Sequence, residues 1–264
     1  MIKVSIQKII LSPLLIGIFS IAIYINTLDN GFLFDDYDTI VNNAMIREVK
    51  YLPHLFKKDY FSLSSEMSYR PVVTLTYFFD YAIYGLNPWG YHLTNVLLHA
   101  VNGVILYIFL TLLINQDARC KMQDVRNKNQ ETGGILSLAS YFLPLVSSLI
   151  FVTHPVLTEA VNAISFREDL LCFLFFISAS IIYLKSSKLE AQSSKFKASS
   201  LQLSALSFYL LALFSKEMAV TLPLIVYGYE RLLKEKGKRF YSVLLSPLLI
   251  GYAVVTLIYL YIRF

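Results

Sequence analysis

Four short motifs hold the residues of this sequence that could do chemistry. Asp35 and Asp36 are adjacent in Gly31-Phe32-Leu33-Phe34-Asp35-Asp36-Tyr37-Asp38. A carboxylate pair suits a general base that takes a proton from a hydroxyl, or an oxygen cage for a divalent cation; it also suits a plain solvated turn. Arg70, in Ser68-Tyr69-Arg70-Pro71, offers a planar fork that matches phosphate, or an interfacial cation that snorkels to lipid headgroups. His154, Glu159, Arg167, Glu168 and Asp169 crowd Thr153-His154-Pro155-Val156-Leu157-Thr158-Glu159 and Phe166-Arg167-Glu168-Asp169. Ser165 and Glu168 have the spacing of a helix capping box, which accounts for Glu168 and leaves His154 and Arg167 as candidates for function. Lys216 and Glu217 interrupt an apolar stretch. A charge at membrane depth costs at least about 2.5–3.5 kcal/mol, so such residues face a polar cavity or sit at a hairpin tip in headgroup water. Facing inward, Lys216 would suit the phosphate of an anionic lipid.

The elements that must position these residues are membrane spans. The chain has 264 residues, 56% hydrophobic and only 16% charged, against about 45–50% and about 25% in soluble domains. The expected fold is all-α, a polytopic integral membrane bundle of about seven spans over 9–28, 91–114, 135–153, 170–184, 201–214, 218–230 and 241–262. Each run approaches the length that crosses about 30 Å of hydrocarbon at about 1.5 Å per residue. Lys3 and Lys8 precede the first run, which is too long for a signal peptide and has no small-residue cleavage site. It reads as a signal-anchor helix with a cytoplasmic N-terminus. Most of the 23 Lys and Arg residues then fall in cytoplasmic loops at 115–134, 185–200 and 231–240, as the positive-inside rule requires. Residues 29–90 form an extracytoplasmic segment that carries the acidic pair. Residues 72–86 are apolar, but an extra span there would reverse every later loop, so they read as a helix at the outer interface.

Other classes are disfavoured. The net charge of +5 comes from topology-setting loops and does not indicate nucleic acid. Cys120 lies in a polar loop and Cys172 in an apolar run, so neither a disulfide nor a zinc site is expected. Glycine-rich phosphate loops are absent, which argues against a soluble nucleotide. His92 and His99, seven apart on one helix face, lack a third metal ligand.

Taken in order, Phe34-Asp35-Asp36, Tyr69-Arg70-Pro71, Tyr91-His92-Leu93-Thr94-Asn95-Val96-Leu97-Leu98-His99-Ala100, His154-Pro155, Thr158-Glu159-Ala160-Val161, Arg167-Glu168-Asp169-Leu170-Leu171 and Ser215-Lys216-Glu217 resemble the membrane half of the transmembrane and tetratricopeptide-repeat O-mannosyltransferases. That family belongs to the GT-C class, which takes sugars from lipid-linked phosphate donors. The resemblance covers about residues 25–230. It implies a GT-C-like domain over 1–264 and a catalytic base at Asp35 or Asp36. Arg70, His154, Glu159, Arg167, Asp169, Lys216 and Glu217 would then be substrate- or phosphate-binding residues.

The implied reaction moves a sugar, mannose by resemblance, from a polyprenyl or dolichyl phosphate to a protein hydroxyl. The implied partners are the lipid-linked donor, membrane lipid and an acceptor protein. The active face would be extracytoplasmic or lumenal, in a bacterial inner membrane or the endoplasmic reticulum, and a divalent cation is an open alternative. Relatives carry further spans and C-terminal repeats, so the stop at Arg263-Phe264 is what one part of a longer architecture would show. The third motif has Arg-Glu-Asp where relatives commonly have Arg-Ala-Asp. Two other functions stay open: a membrane module that anchors a partner domain, and a transporter with Lys216-Glu217 as its ion site.

Overall fold

A computed structural model describes residues 6–57, 59–64, 66, 68–125, 132–191, 195–231 and 246–263. Every regular element among them is a helix, and none is a strand. The basic N-terminus around Lys3, the side chain of Cys120 and most of the 231–240 loop lie outside the described residues.

The helices are α1 (Ile6–Tyr24), α2 (Tyr60–Ser64), α3 (Pro71–Tyr84), α4 (Pro88–Val125), α5 (Thr132–Thr153), α6 (Thr158–Asn162), α7 (Arg167–Ala191), α8 (Lys195–Ser215), α9 (Leu222–Tyr229) and α10 (Pro247–Arg263). Among the described residues, four stretches are long and apolar enough to cross a membrane: Leu11–Asp29, Pro88–Asn115, Ile164–Leu189 and Phe196–Ser215. A fifth counts if Phe142–Thr153 and Pro155–Asn162, bent by 50°, are one broken span. The chain is therefore an integral membrane protein. The difference from seven lies at the C-terminal end. The expected span 218–230 is a 3-10 turn followed by α9, which has 8 residues and reaches only about 12 Å. The expected span 241–262 is described as α10, with 17 residues.

Side-chain size decides how the helices meet. In α1, Ser12, Ile16, Ser20 and Tyr24 are buried at four-residue spacing, while Leu14, Leu15, Ile18 and Phe19 are exposed. The two serines on the inward face let α1 approach α4 and α5, and the large apolar face suits lipid. At the crossing, a Cβ on Gly103 of α4 would collide with Val152 of α5 and Ile16 of α1. Helices α7 and α8 pack along their lengths, with Ala179, Ala205 and Ala212 buried between bulkier neighbours. Helix α10 closes the far side of α8, where Tyr209 and Thr256 share a hydroxyl hydrogen bond of 2.7 Å.

Helix α3 has 14 residues, about 21 Å, short of a crossing. Pro71 occupies its first turn, where no backbone N–H is needed. Gly85, at φ 59°, ends it in a left-handed turn that side-chain-bearing residues rarely adopt. The chain can then fold straight back into α4.

Candidate active site

The acidic pair divides into two unlike residues. Phe34, 91% exposed, has φ 42°, a strained conformation for a residue with a Cβ. The turn holds because Asp36 N–H donates to the Leu33 carbonyl at 2.8 Å and Leu33 N–H donates to Asp36 Oδ2 at 3.0 Å. The other oxygen, Oδ1, accepts from Ser165 N–H at 2.7 Å. Asp36 is fully buried and acts as a clamp between the segment that follows α1 and the turn before α7. Asp35 is exposed. Its carbonyl accepts from the Thr39 hydroxyl, and its carboxylate has no hydrogen bond or ion pair among the described residues.

Beside this clamp, three elements bring charges together. Arg70, just before α3, pairs with Glu168 in the first turn of α7. Lys216, at the end of α8, lies 3.1 Å from Glu168 and 2.7 Å from Asp169. The N-terminus of α7 favours acidic residues there, because its unpaired amides carry partial positive charge. Lys216 projects from extended backbone, φ −157° and ψ 137°, where α8 gives way to a 3-10 turn. Arg70 and Lys216 keep 22% and 20% of their side chains exposed. Arg70 Nε has no partner among the described residues.

Behind Arg70 lies Glu66, which accepts from the Tyr60 hydroxyl at 2.9 Å and from the Thr74 hydroxyl at 3.1 Å. Burial pushes its carboxyl up to about 7, against the pull of those two hydroxyls and of Arg70.

Arg167 is different: its side chain is wholly enclosed. It pairs with Asp80 at 2.6 Å and donates to Asn95 Oδ1 at 2.7 Å, Thr76 Oγ1 at 3.3 Å and the Tyr91 carbonyl at 2.9 Å. Its guanidinium also lies over the Tyr77 ring, 4.7 Å from the centroid. The expectation that Arg167 meets a substrate phosphate does not fit this arrangement, because its donors face protein on every side. It binds α3, α4 and α7 into one unit.

The remaining expected residues scatter. His154 is exposed and accepts from Val156 N–H at 3.3 Å, so it caps the turn that leads to α6. Glu217 faces Arg263 at 3.6 Å, away from Lys216's partners. Glu159 and Asp169 line a cavity of about 370 Å³ together with His99, Asn102, Phe151 and Phe173. Among the described residues, no group of three or more His, Cys, Asp or Glu side chains is placed to hold a metal ion.

Sequence reasoning missed Asp80, Glu66, Asn95 and Asn102. The asparagines left a signal, since His92, Asn95, His99 and Asn102 recur at helical spacing in an apolar run and all four are fully buried. Such a stripe marks an inward face.

Over 229 residues, 85% of this chain, the sequence is 30% identical to "Protein O-mannosyl-transferase Tmtc3" of Drosophila melanogaster, of which that match covers 24%. It is 33% identical over 177 residues to "Protein O-mannosyl-transferase TMTC3" of Homo sapiens, covering 65% of this chain and 16% of that protein. Human "Protein O-mannosyl-transferase TMTC4" is 32% identical over 180 residues, 66% of this chain and 23% of that protein. No family model and no solved structure matches. The chain spans about a quarter or less of the length of these relatives.

Proposed function

From its homology to part of the TMTC-type protein O-mannosyl-transferases, we infer that this chain carries the sugar-transfer site of such an enzyme. The donor in this reading is mannose on a polyprenyl or dolichyl phosphate, and the acceptor is a Ser or Thr hydroxyl of a protein. The observation that carries it is the joining of Asp36, through Ser165, to the turn of α7 that also holds the Arg70–Glu168–Lys216–Asp169 cluster. Asp35, the neighbouring carboxylate able to take a proton, thereby lies on the same scaffold as two partly exposed cations able to meet a phosphate.

In the reaction, the acceptor oxygen attacks the anomeric carbon while the bond from that carbon to the phosphate oxygen breaks. Asp35 takes the hydroxyl proton, and its exposure leaves it open to an incoming acceptor. The lipid phosphate leaves with the bonding pair, and Arg70 and Lys216 stabilise the charge that grows on it. Glu168 already bridges the two cations as an anion would, so the phosphate must share or displace it. Burial holds Glu66 partly protonated near neutral pH, which keeps the cluster short of a negative charge and favours that exchange. Arg167 serves as a positioning residue. The active face is the extracytoplasmic or lumenal one, where a lipid-linked sugar and a secreted acceptor meet.

The test is transfer from polyprenyl-phosphate mannose to an acceptor polypeptide, using the full-length protein in liposomes. Asp35→Asn is expected to abolish transfer with no change in melting temperature. Asp36→Asn is expected to lower stability by about 1–3 kcal/mol, because an amide N–H would face one of the two backbone donors that Asp36 accepts. Undiminished transfer by Asp35→Asn would remove Asp35 from the mechanism.

A further inference from the structure

The cavity lined by Glu159 and Asp169 lies between α4, the α5–α6 bend and α7. Its polar groups share one property, which follows from the bonds they already make. His99 Nε2 lies 3.2 Å from the Val152 carbonyl. A carbonyl only accepts, so the neutral ring carries its proton on Nε2 and Nδ1 is left as an acceptor. Asn102 Nδ2 donates to the Leu170 carbonyl at 2.9 Å, which fixes the amide with Oδ1 as its other face. Both residues are fully buried. His99 Nδ1 and Asn102 Oδ1 have no partner among the described residues. Glu159 and Asp169 can only accept when ionised, and Asp169 shares one oxygen with Lys216. The two unpartnered atoms, His99 Nδ1 and Asn102 Oδ1, and the two carboxylates therefore each ask for a hydrogen-bond donor.

That requirement selects the occupant. An ionised phosphate offers acceptors alone and would meet two carboxylates at the mouth. A cation would find those carboxylates, but deeper in only a neutral imidazole and a neutral amide would replace its hydration. A neutral ring bearing several hydroxyls supplies donors at both depths. Its C–H face can rest on Phe151 and Phe173, whose rings stack with centroids 4.8 Å apart. A cavity of about 370 Å³ is at the small end of ligand sites, which suits one ring.

We propose that His99, Asn102, Glu159 and Asp169 form a pocket for the hydroxyls of a single sugar ring, adjoining the Arg70–Lys216 cluster through Asp169. This rests on the transferase reading, since a donor whose phosphate meets that cluster would put its sugar next door.

The probe is methyl α-mannoside, with binding to the detergent-solubilised full-length protein read by saturation-transfer NMR. Binding is expected in the parent protein, unaffected by inorganic phosphate. His99→Phe is expected to weaken it about tenfold, the loss of one buried hydrogen bond. Val156→Trp, at an exposed position on the mouth, is expected to weaken it as much without disturbing the core. Melting temperatures separate misfolding from loss of the site, and Val156→Trp remains informative if His99→Phe does not fold. Absence of sugar binding by the folded parent overturns the proposal. So does binding of tetramethylammonium in place of the sugar, or unchanged affinity in the folded variants. Because binding is read without turnover, failure here leaves the role of Asp35 intact. An inactive Asp35→Asn protein that still binds the sugar leaves this pocket intact.

Discussion

Glu66 shows how one side chain sets the pH range of its neighbourhood. Its carboxyl ordinarily titrates at 4.5, and burial raises it to about 7. Between those values the folded protein keeps a proton that the unfolded chain has released. The group's favourable contribution is therefore full below pH 4.5 and lost as pH rises through 7, a loss on the order of 3 kcal/mol by pH 8. Glu66→Gln keeps the shape and the acceptor oxygen but removes the titration. The variant is expected to melt above the parent at pH 8 and close to it at pH 5, measured by thermal denaturation in detergent. An equal pH dependence in both proteins would remove Glu66 as its source. The same scale explains why the acidic pair reads as two equivalents in sequence. Adjacent residues share composition and spacing. Only the fold shows that Asp36 spends both oxygens on Leu33 and Ser165, while Asp35 stays in solvent.

Among the elements, α1, α4 and α5 depend on one close crossing at Gly103. Gly103→Val would drive methyl groups into Val152 and Ile16. A loss of about 1–3 kcal/mol is expected from overpacking, read as a lower melting temperature. Gly17→Ala, where a Cβ meets nothing within 4 Å, is the control expected to leave it unchanged. The long helices are legible in the sequence because each carries an unbroken apolar run. The short ones are less so. Around α9, the stretch 218–230 is apolar enough to suggest a span, but Lys216 breaks the helix ahead of it, and a 3-10 turn consumes Glu217–Thr221. The bend between α5 and α6 is legible at Pro155, which cannot continue a helix from the preceding turn. Its angle depends on packing that the sequence does not display.

Across the whole molecule, the polar interior is organised by Arg167, and this is where sequence reasoning reaches its limit. An arginine beside Glu168 and Asp169 looks available for a substrate. Its true partner, Asp80, sits in an apolar stretch with no local hint of pairing. Removing Arg167 leaves Asp80 buried without its counterion, which typically costs about 3–5 kcal/mol. Arg167→Ala is expected to lower stability by that order. Asp80→Asn alone should also destabilise, and the double variant should lose less than the sum of the two. An additive result in that cycle, measured by denaturation in detergent, would deny the pair its coupling.

The Arg167 enclosure also bears on biosynthesis. Thr76, Asp80, Tyr91 and Asn95 all precede Arg167 in the chain. A ribosome making the protein therefore delivers every acceptor before the guanidinium that needs them. The residues that will hold the cation are thus all in the chain before it is added.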